Sequence, residues 1–282
     1  MARTKRIKID GEAYYHVISR VANKAFLFKD ARRKRCLRDI LYRAAEFSGI
    51  DIGTYVIMDN HIHLCVHVPL RAEVGETEVL RRIGVLYGER RRESFEARLS
   101  EMRLSGRMAD AECELGRLRA RIGDLSEFMK TFKQRVSQWF NGEFGHEGTL
   151  WAGRFKSVLV EDGAYLRVMA HYIHQNPVRA GISQRAEDYE WSALGAATHG
   201  DARAVKGLSL LGIDRAGRVE TLGVRDRRFS NGVIVGSRGF VRRMAGLLIG
   251  GLRGQIDRIM VFRYVKTDMF SSHGQRSTPQ AA

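Results

Sequence analysis

The stretch from residue 55 to residue 68 does most to limit the folds open to this chain. Two apolar runs, Tyr55-Val56-Ile57-Met58 and His61-Ile62-His63-Leu64-Cys65-Val66-His67-Val68, are separated only by Asp59-Asn60, a pair suited to a tight turn. They read as two strands, 51–58 and 61–68, and Pro69 closes the second. Upstream, residues 14–19 (YYHVIS) are rich in aromatic and β-branched side chains and read as another strand. Between these strands, Cys36, Leu37, Ile40, Leu41 and Ala44 recur at helical spacing in a basic stretch over 30–47. Strand, helix, strand, strand begins a ferredoxin-like layout.

Residues 76–121 differ in character. They are dense in Arg and Glu, with sparse apolar spacers such as Leu80, Ile83, Leu86 and Leu99, and read as charged helices, a helical hairpin projecting from the core. Ser126-Glu127 opens a helix with a stripe of Phe128, Phe132, Val136, Trp139 and Phe140; its other face carries Lys130, Lys133 and Arg135, and Asn141-Gly142 is its expected stop. Residues 154–160 (RFKSVLV) alternate as a strand, and Asp162 is placed to cap a helix striped by Leu166, Met169, Ala170 and Ile173. Asn176-Pro177 ends that helix, because proline disfavours α geometry in the residue before it. Further on, 207–224 is glycine-rich and reads as a loop, 229–235 as a short strand, and 237–248 as a helix capped by Ser237. The last ten residues read as disordered, and no internal repeat is visible.

A chain of 282 residues can bury a substantial core. Its formal net charge of +16 suits a polyanionic partner, nucleic acid first. From residue 201 onward 15 Lys and Arg face 6 Asp and Glu, a balance suited to backbone contacts. No apolar run approaches the ~20 residues needed to span a bilayer, and the basic opening segment has no apolar stretch of a secretory signal behind it. Cys36, Cys65 and Cys113 are odd in number and widely spaced, so neither a disulfide framework nor a zinc knuckle is expected; a reducing cytoplasm is the default.

Two short motifs carry the chemistry. His61 and His63, two apart on a strand, point the same way. They are either half of a metal site or a core pair of which one is incidental; His67 shares the face but lies far along the strand. Tyr172 and Asn176 are four apart on a helix and project together, as a packing residue and a helix stop or as a nucleophile and a metal-binding carbonyl. His171 and His174 point to other faces, and His174 is expected at the surface or against DNA. Two imidazoles and an amide oxygen make a mixed donor set with open positions, which suits Mg²⁺ or Mn²⁺ better than a closed zinc site. Arg154 and Lys156 would add cationic charge nearby.

In combination these residues resemble the single-tyrosine HUH transposases, and among them the REP-associated tyrosine transposases. The resemblance is carried by Val56-Ile57-Met58-Asp59-Asn60-His61-Ile62-His63-Leu64, by Leu150-Trp151-Ala152-Gly153-Arg154-Phe155-Lys156-Ser157, by Tyr172-Ile173-His174-Gln175-Asn176-Pro177-Val178-Arg179-Ala180-Gly181, and by Tyr14-Tyr15-His16-Val17 at the start. It covers about residues 8–185. It implies an α+β fold, a ferredoxin-like antiparallel sheet (the HUH fold) flanked by helices. The chain departs from the family in 76–121, a charged helical insertion longer than the compact core requires, and in 200–270, a basic extension of unassigned role, with 271–282 read as a disordered tail. The resemblance further implies that His61, His63 and Asn176 bind the metal, that Tyr172 becomes linked to a 5′ phosphate, and that single-stranded or hairpin DNA is the substrate. Arg154, Lys156, Lys130, Lys133, Arg135 and Arg179 are the expected DNA contacts, in a monomer or homodimer acting away from any membrane. The competing readings are a nucleic-acid-binding protein that kept the fold without turnover, and a metal-dependent hydrolase with H-x-H on a barrel strand. The latter needs repeated strand-helix units that the sequence lacks.

Overall fold

The structure, a computed structural model, describes residues 7–9, 11–213, 229 and 232–248. Strands β1 (Ala13–Arg20), β2 (Asp51–Ile57), β3 (His61–Val68), β4 (Lys156–Val160) and β5 (Ile234–Val235) form one sheet in the order β2-β3-β1-β4-β5. Around it lie α1 (Ala31–Ser48), α2 (Glu76–Tyr87), α3 (Glu89–Leu104), α4 (Met108–Arg119), α5 (Leu125–Phe144), α6 (Ala164–His174), α7 (Asn176–Arg179), α8 (Ala193–Thr198), α9 (Ala202–Leu210) and α10 (Arg238–Leu248). The first four strands pair antiparallel, with α1 and α5 in the two crossovers, as a ferredoxin-like arrangement requires. The mixed α+β class expected from the sequence is the one observed, with β5 added in parallel to β4.

Strand β1 is central, with β3 on one side and β4 on the other. Residues directly opposite in a ladder share a face. The pairs Arg20↔His61, Ile18↔His63 and Tyr14↔His67 therefore place three histidines of β3 on one face, together with His16. The opposite face sends Tyr15, Val17, Leu64 and Val66 into the core beneath α1 and α5, where Phe47, Phe128 and Phe132 are fully buried. Met58 N–H donates to His61 O at 2.9 Å, closing the two-residue Asp59-Asn60 turn. Behind that turn Asp59 pairs with the buried Lys34 ammonium at 2.7 Å.

The helix ends follow local chemistry, with two departures from expectation. Asp30 caps α1 by accepting from Arg33 N–H, and Gly49 ends it in the left-handed region, φ 60°. Asp124 caps α5, which runs through Asn141-Gly142 and stops at Gly145. The extra turn is held by Phe144, whose ring packs on Phe140 at 4.8 Å beneath the Arg33 guanidinium. Asp162 does not cap α6; Gly163 takes the cap position without a side-chain bond. Ser237 does cap α10, its Oγ accepting from Phe240 N–H at 3.2 Å.

The charged segment folds as α2, α3 and α4, and α2 lies along α1 instead of projecting as a hairpin. Val79, Leu80, Ile83 and Leu86 supply its buried stripe, while Arg81 reaches Glu46 at 2.6 Å and Arg103 grips Glu76 through two bonds. Among the described residues no helix is long and apolar enough to cross a membrane.

Of the stretch 207–224, expected to be a loop, the first four residues, 207–210, are helical as the end of α9, and 214–224 lie outside the described residues. The helix covers the open edge of β2, and Gly207 is the reason it can approach so closely. A Cβ there would stand 2.3 Å from Ile52 O and 2.8 Å from Gly53 O. Covering an edge strand in this way removes a template for unwanted pairing. Gly207→Ala is expected to destabilise the protein by about 2 kcal/mol or more, since backbone carbonyls cannot swing aside as a side chain can. Urea unfolding of both proteins checks this; equal midpoints would show that α9 does not press on β2.

Candidate active site

The histidine-bearing face of the sheet is covered by α6 and α7, and the junction leaves an open cleft of about 490 Å³. His61 and His63 enter it from β3, Tyr172 from α6, Asn176 and Arg179 from α7, and Arg20, Lys24 and Asn60 line its mouth. The two motifs read from the sequence thus meet in one place. His61 and His63 lie 5.0 Å apart between ring centroids, and His63 and Tyr172 lie 6.2 Å apart.

Each histidine of the pair uses Nδ1 for a hydrogen bond. His61 Nδ1 faces Asn60 Oδ1 at 2.6 Å, and the orientation of that amide is set because its Nδ2 donates to Lys24 O at 3.2 Å. His63 Nδ1 faces His16 Nε2 at 2.9 Å. Burial first, and then the nearby Arg20 cation, pushes His61 down to about 4; burial, reinforced by His16 and His61, holds His63 well below the usual histidine range. Both rings are neutral at pH 7, and with Nδ1 engaged each has Nε2 for the cleft. That is the state in which imidazole binds a cation. The described residues contain no group of three or more His, Cys, Asp or Glu able to hold a metal ion, so a third donor at this site would be an amide. Asn176 fits. Its Nδ2 donates to Ile173 O at 2.9 Å and Tyr172 O at 3.2 Å, which leaves Oδ1 as the atom available to the cleft.

Tyr172 is held on all sides. Its ring sits edge-on to His16 at 5.9 Å, packs on Phe229 at 5.4 Å and lies beneath the Arg179 guanidinium at 4.5 Å. Arg179 also donates to Tyr172 O at 2.7 Å.

The remaining sequence candidates divide. Lys156 stands opposite Ile18, on the same face as His63, and is exposed; Arg154 is exposed just before it. The Leu150-to-Lys156 block lies beside the end of β1, with Trp151 bridging Val21 and Ala152 N–H donating to Arg20 O. Lys133 reaches Gly153 O and the Trp151 ring, so it braces that block. Lys130 pairs with Glu127, and Arg135 stacks on Tyr87 beside a separate groove between α1 and α5. His67 is taken up at the far end of β3, between Asp51 and Glu12. His174 is not a surface residue: it is buried, bonded to Thr54 Oγ1 at 2.6 Å, and pushed down to about 3 by burial. Its place on the sheet-facing side of α6 follows from the tight packing of α6 on β2, which the polar name of the residue conceals.

Sequence reasoning missed four members of this site: Arg20, Lys24, Asn60 and His16. Arg20 and His16 sit at even spacing along β1 on the face of His61 and His63, a parity the strand pattern already contained. Lys24 is brought in by a left-handed pair, Asn23 and Lys24 at φ 53° and 56°, for which the sequence holds no plain signal.

Residues 11–102 match the family described as "Transposase IS200 like". That segment, which carries β1, β2, β3 and both histidines of the pair, is similar to this family, in agreement with the resemblance read from the sequence. Tyr172 and Asn176 lie beyond it. A search of solved structures finds "Structure of the REP associates tyrosine transposase bound to a REP hairpin" at 14% identity and a TM-score of 0.42, covering 71% of this chain and 87% of that one. A likeness of that degree carries no residue roles across. No curated protein was found that matches the chain.

Neutral buried histidines give the protein a defined acid sensitivity. His16 and His61 are pushed to about 4 and His174 to about 3, while in the unfolded chain each titrates near 6.5. The unfolded state therefore binds more protons than the folded state between those values, and stability falls as pH drops through 6.5 toward 4. Lowering the pH from 7 to 5.5 is expected to cost about 1 kcal/mol per such histidine. Urea melts at the two pH values measure the loss, and His174→Gln should make it shallower; a flat profile would mean the rings are protonated in the fold.

Proposed function

We propose that the protein is a single-strand DNA endonuclease and strand transferase of the transposase type, with Tyr172 as nucleophile. One observation carries the reading: the fold brings Tyr172 into one cleft with His61 and His63, whose Nδ1 atoms are both engaged, and with Arg20, Lys24 and Arg179. Arg20, Lys24 and Arg179 receive the phosphate backbone of a single strand or of the unpaired end of a hairpin. Tyr172 Oη attacks phosphorus, the Oη–P bond forms as the P–O3′ bond breaks, the phenol proton goes to solvent and the departing O3′ takes up a proton. The bond energy is kept in the phosphotyrosine, so a free 3′ hydroxyl reverses the step without ATP. Arg179, stacked on the phenol and bonded to its backbone, fixes the angle of attack. His61, His63 and Asn176 are the residues that would hold Mg²⁺ or Mn²⁺. A bound divalent cation would draw charge from a non-bridging phosphate oxygen as it builds at phosphorus. Lys156 and Arg154 extend the cationic surface along β4.

A second reading, a DNA-binding protein without turnover, shares the rim and differs only in chemistry. The two part in one experiment: incubation with Mg²⁺ and a labelled hairpin, followed by SDS electrophoresis. A covalent adduct is expected from the wild type and none from Tyr172→Phe, while His61→Ala and His63→Ala shift the hairpin on a native gel and form little adduct. An adduct from Tyr172→Phe equal to wild type would remove the nucleophile assignment; binding with no adduct across varied hairpins would favour the second reading.

Affinity should also fall steeply with salt, because phosphate contacts release counterions. Arg20→Ala is expected to weaken binding to all sequences alike and to reduce the slope of log affinity against log salt by about 1. An unchanged slope would show that Arg20 does not meet a phosphate.

A further inference from the structure

The pocket behind His63 contains a part that the family segment does not supply. His16 lies on β1 with no accessible surface, and both of its ring nitrogens are engaged. Nδ1 is 2.7 Å from Phe229 O and Nε2 is 2.9 Å from His63 Nδ1. A carbonyl oxygen only accepts, so the proton of neutral His16 must sit on Nδ1 and point at Phe229. Nε2 is then a bare lone pair. It can only accept, so His63 must donate from Nδ1–H, and its own Nε2 is the lone pair left for the cleft. The direction of the whole chain is set by one backbone carbonyl in the C-terminal extension.

The extension is also anchored on the sheet: Leu159 N–H donates to Val233 O and Glu161 N–H to Val235 O, both at 2.9 Å, as β5 pairs with β4. Ser237 binds the Glu161 carboxylate through its backbone N–H and, at 3.0 Å, its hydroxyl. The Phe229 side chain is buried and packs on the Tyr172 ring. One residue of the extension thus touches the tyrosine through its ring and His63 through His16.

We infer that the C-terminal extension completes the active site, with Phe229 O and the positioning residue His16 forming a relay that holds His63 in the Nδ1–H form and so presents its Nε2 to a divalent cation. The inference rests on the proposed function for the cation. The relay itself is a statement about where a proton sits and holds with or without metal. A ring flip or a switch of proton at His63 would turn an N–H toward the cation, and groups that orient a ligating histidine in this way change metal affinity by about 10–100-fold when removed.

The test uses the full chain with isotope-labelled histidine. Heteronuclear NMR without metal reports which ring nitrogen of His63 carries the proton, assigned with a His63→Gln control, and calorimetry with Mn²⁺ gives affinity. The wild type is expected to show His63 protonated on Nδ1. His16→Leu should lose that preference and bind Mn²⁺ at least about tenfold more weakly. His16→Gln should retain both, because an amide can donate to Phe229 O and accept from His63. A wild-type His63 protonated on Nε2 overturns the relay, as does a His16→Leu protein with unchanged His63 signals and Mn²⁺ affinity. Should His16→Leu fail to fold, the wild-type spectrum and His16→Gln still decide. A different result strikes the underlying reading: Mn²⁺ bound equally by wild type, His61→Ala and His63→Ala would place the cation elsewhere while the metal-free spectrum still judged the relay.

Discussion

The pairing of β1 with β3 is the constraint on which the site depends. It is an antiparallel ladder without a slip, eight residues long, and it fixes the face and spacing of every histidine in the cleft. Moving the register by one residue would send His61 and His63 into the core and bring Ile62 and Leu64 to the cleft. The apolar alternation of both strands forbids that slip, because Leu64, Val66, Tyr15 and Val17 are buried beneath α1 and α5. Core packing on one face therefore specifies chemistry on the other.

The same strand explains the cationic rim. The end of β1 carries Arg20 and leads into the left-handed turn that presents Lys24, while the Leu150-to-Lys156 block runs alongside and pins it through Trp151. Asn60 joins the two halves: its amide holds Lys24 O and orients His61 at once. One amide thus links the backbone at Lys24 to the ring of His61.

Much of this was legible in sequence because it rests on local periodicity. The hairpin over β2 and β3 follows from alternation broken by Asp59-Asn60, α1 from its apolar spacing, and the meeting of His61 with Tyr172 was implied by the family resemblance. What the sequence concealed rests on contacts between distant segments. Nothing near Phe229 says that its carbonyl will meet His16, since any residue carries a carbonyl. Gly207 read as a loop signal because glycine lowers helix propensity, whereas the contact with Ile52 O that demands it lies 155 positions away in sequence. His174 was misplaced for the related reason that a polar residue finds a partner, Thr54, only once the sheet exists.

Burial of the histidines links stability and function through one physical term. A histidine taken out of water without a carboxylate beside it loses its proton, and the desolvation that depresses His16, His61 and His63 makes their nitrogens available as acceptors at neutral pH. His67, four residues beyond His63 on the same strand face, has carboxylates against both ring nitrogens, Asp51 at 3.0 Å and Glu12 at 2.8 Å, and so offers neither to a ligand. The difference lies in what faces each ring, since His61, His63 and His67 belong to one strand and one face. A carboxylate introduced beside His63 would stabilise its protonated form and remove the lone pair that the proposed chemistry requires. The apolar and aromatic wall formed by Tyr172 and Phe229 is therefore part of the site's chemistry as well as its packing.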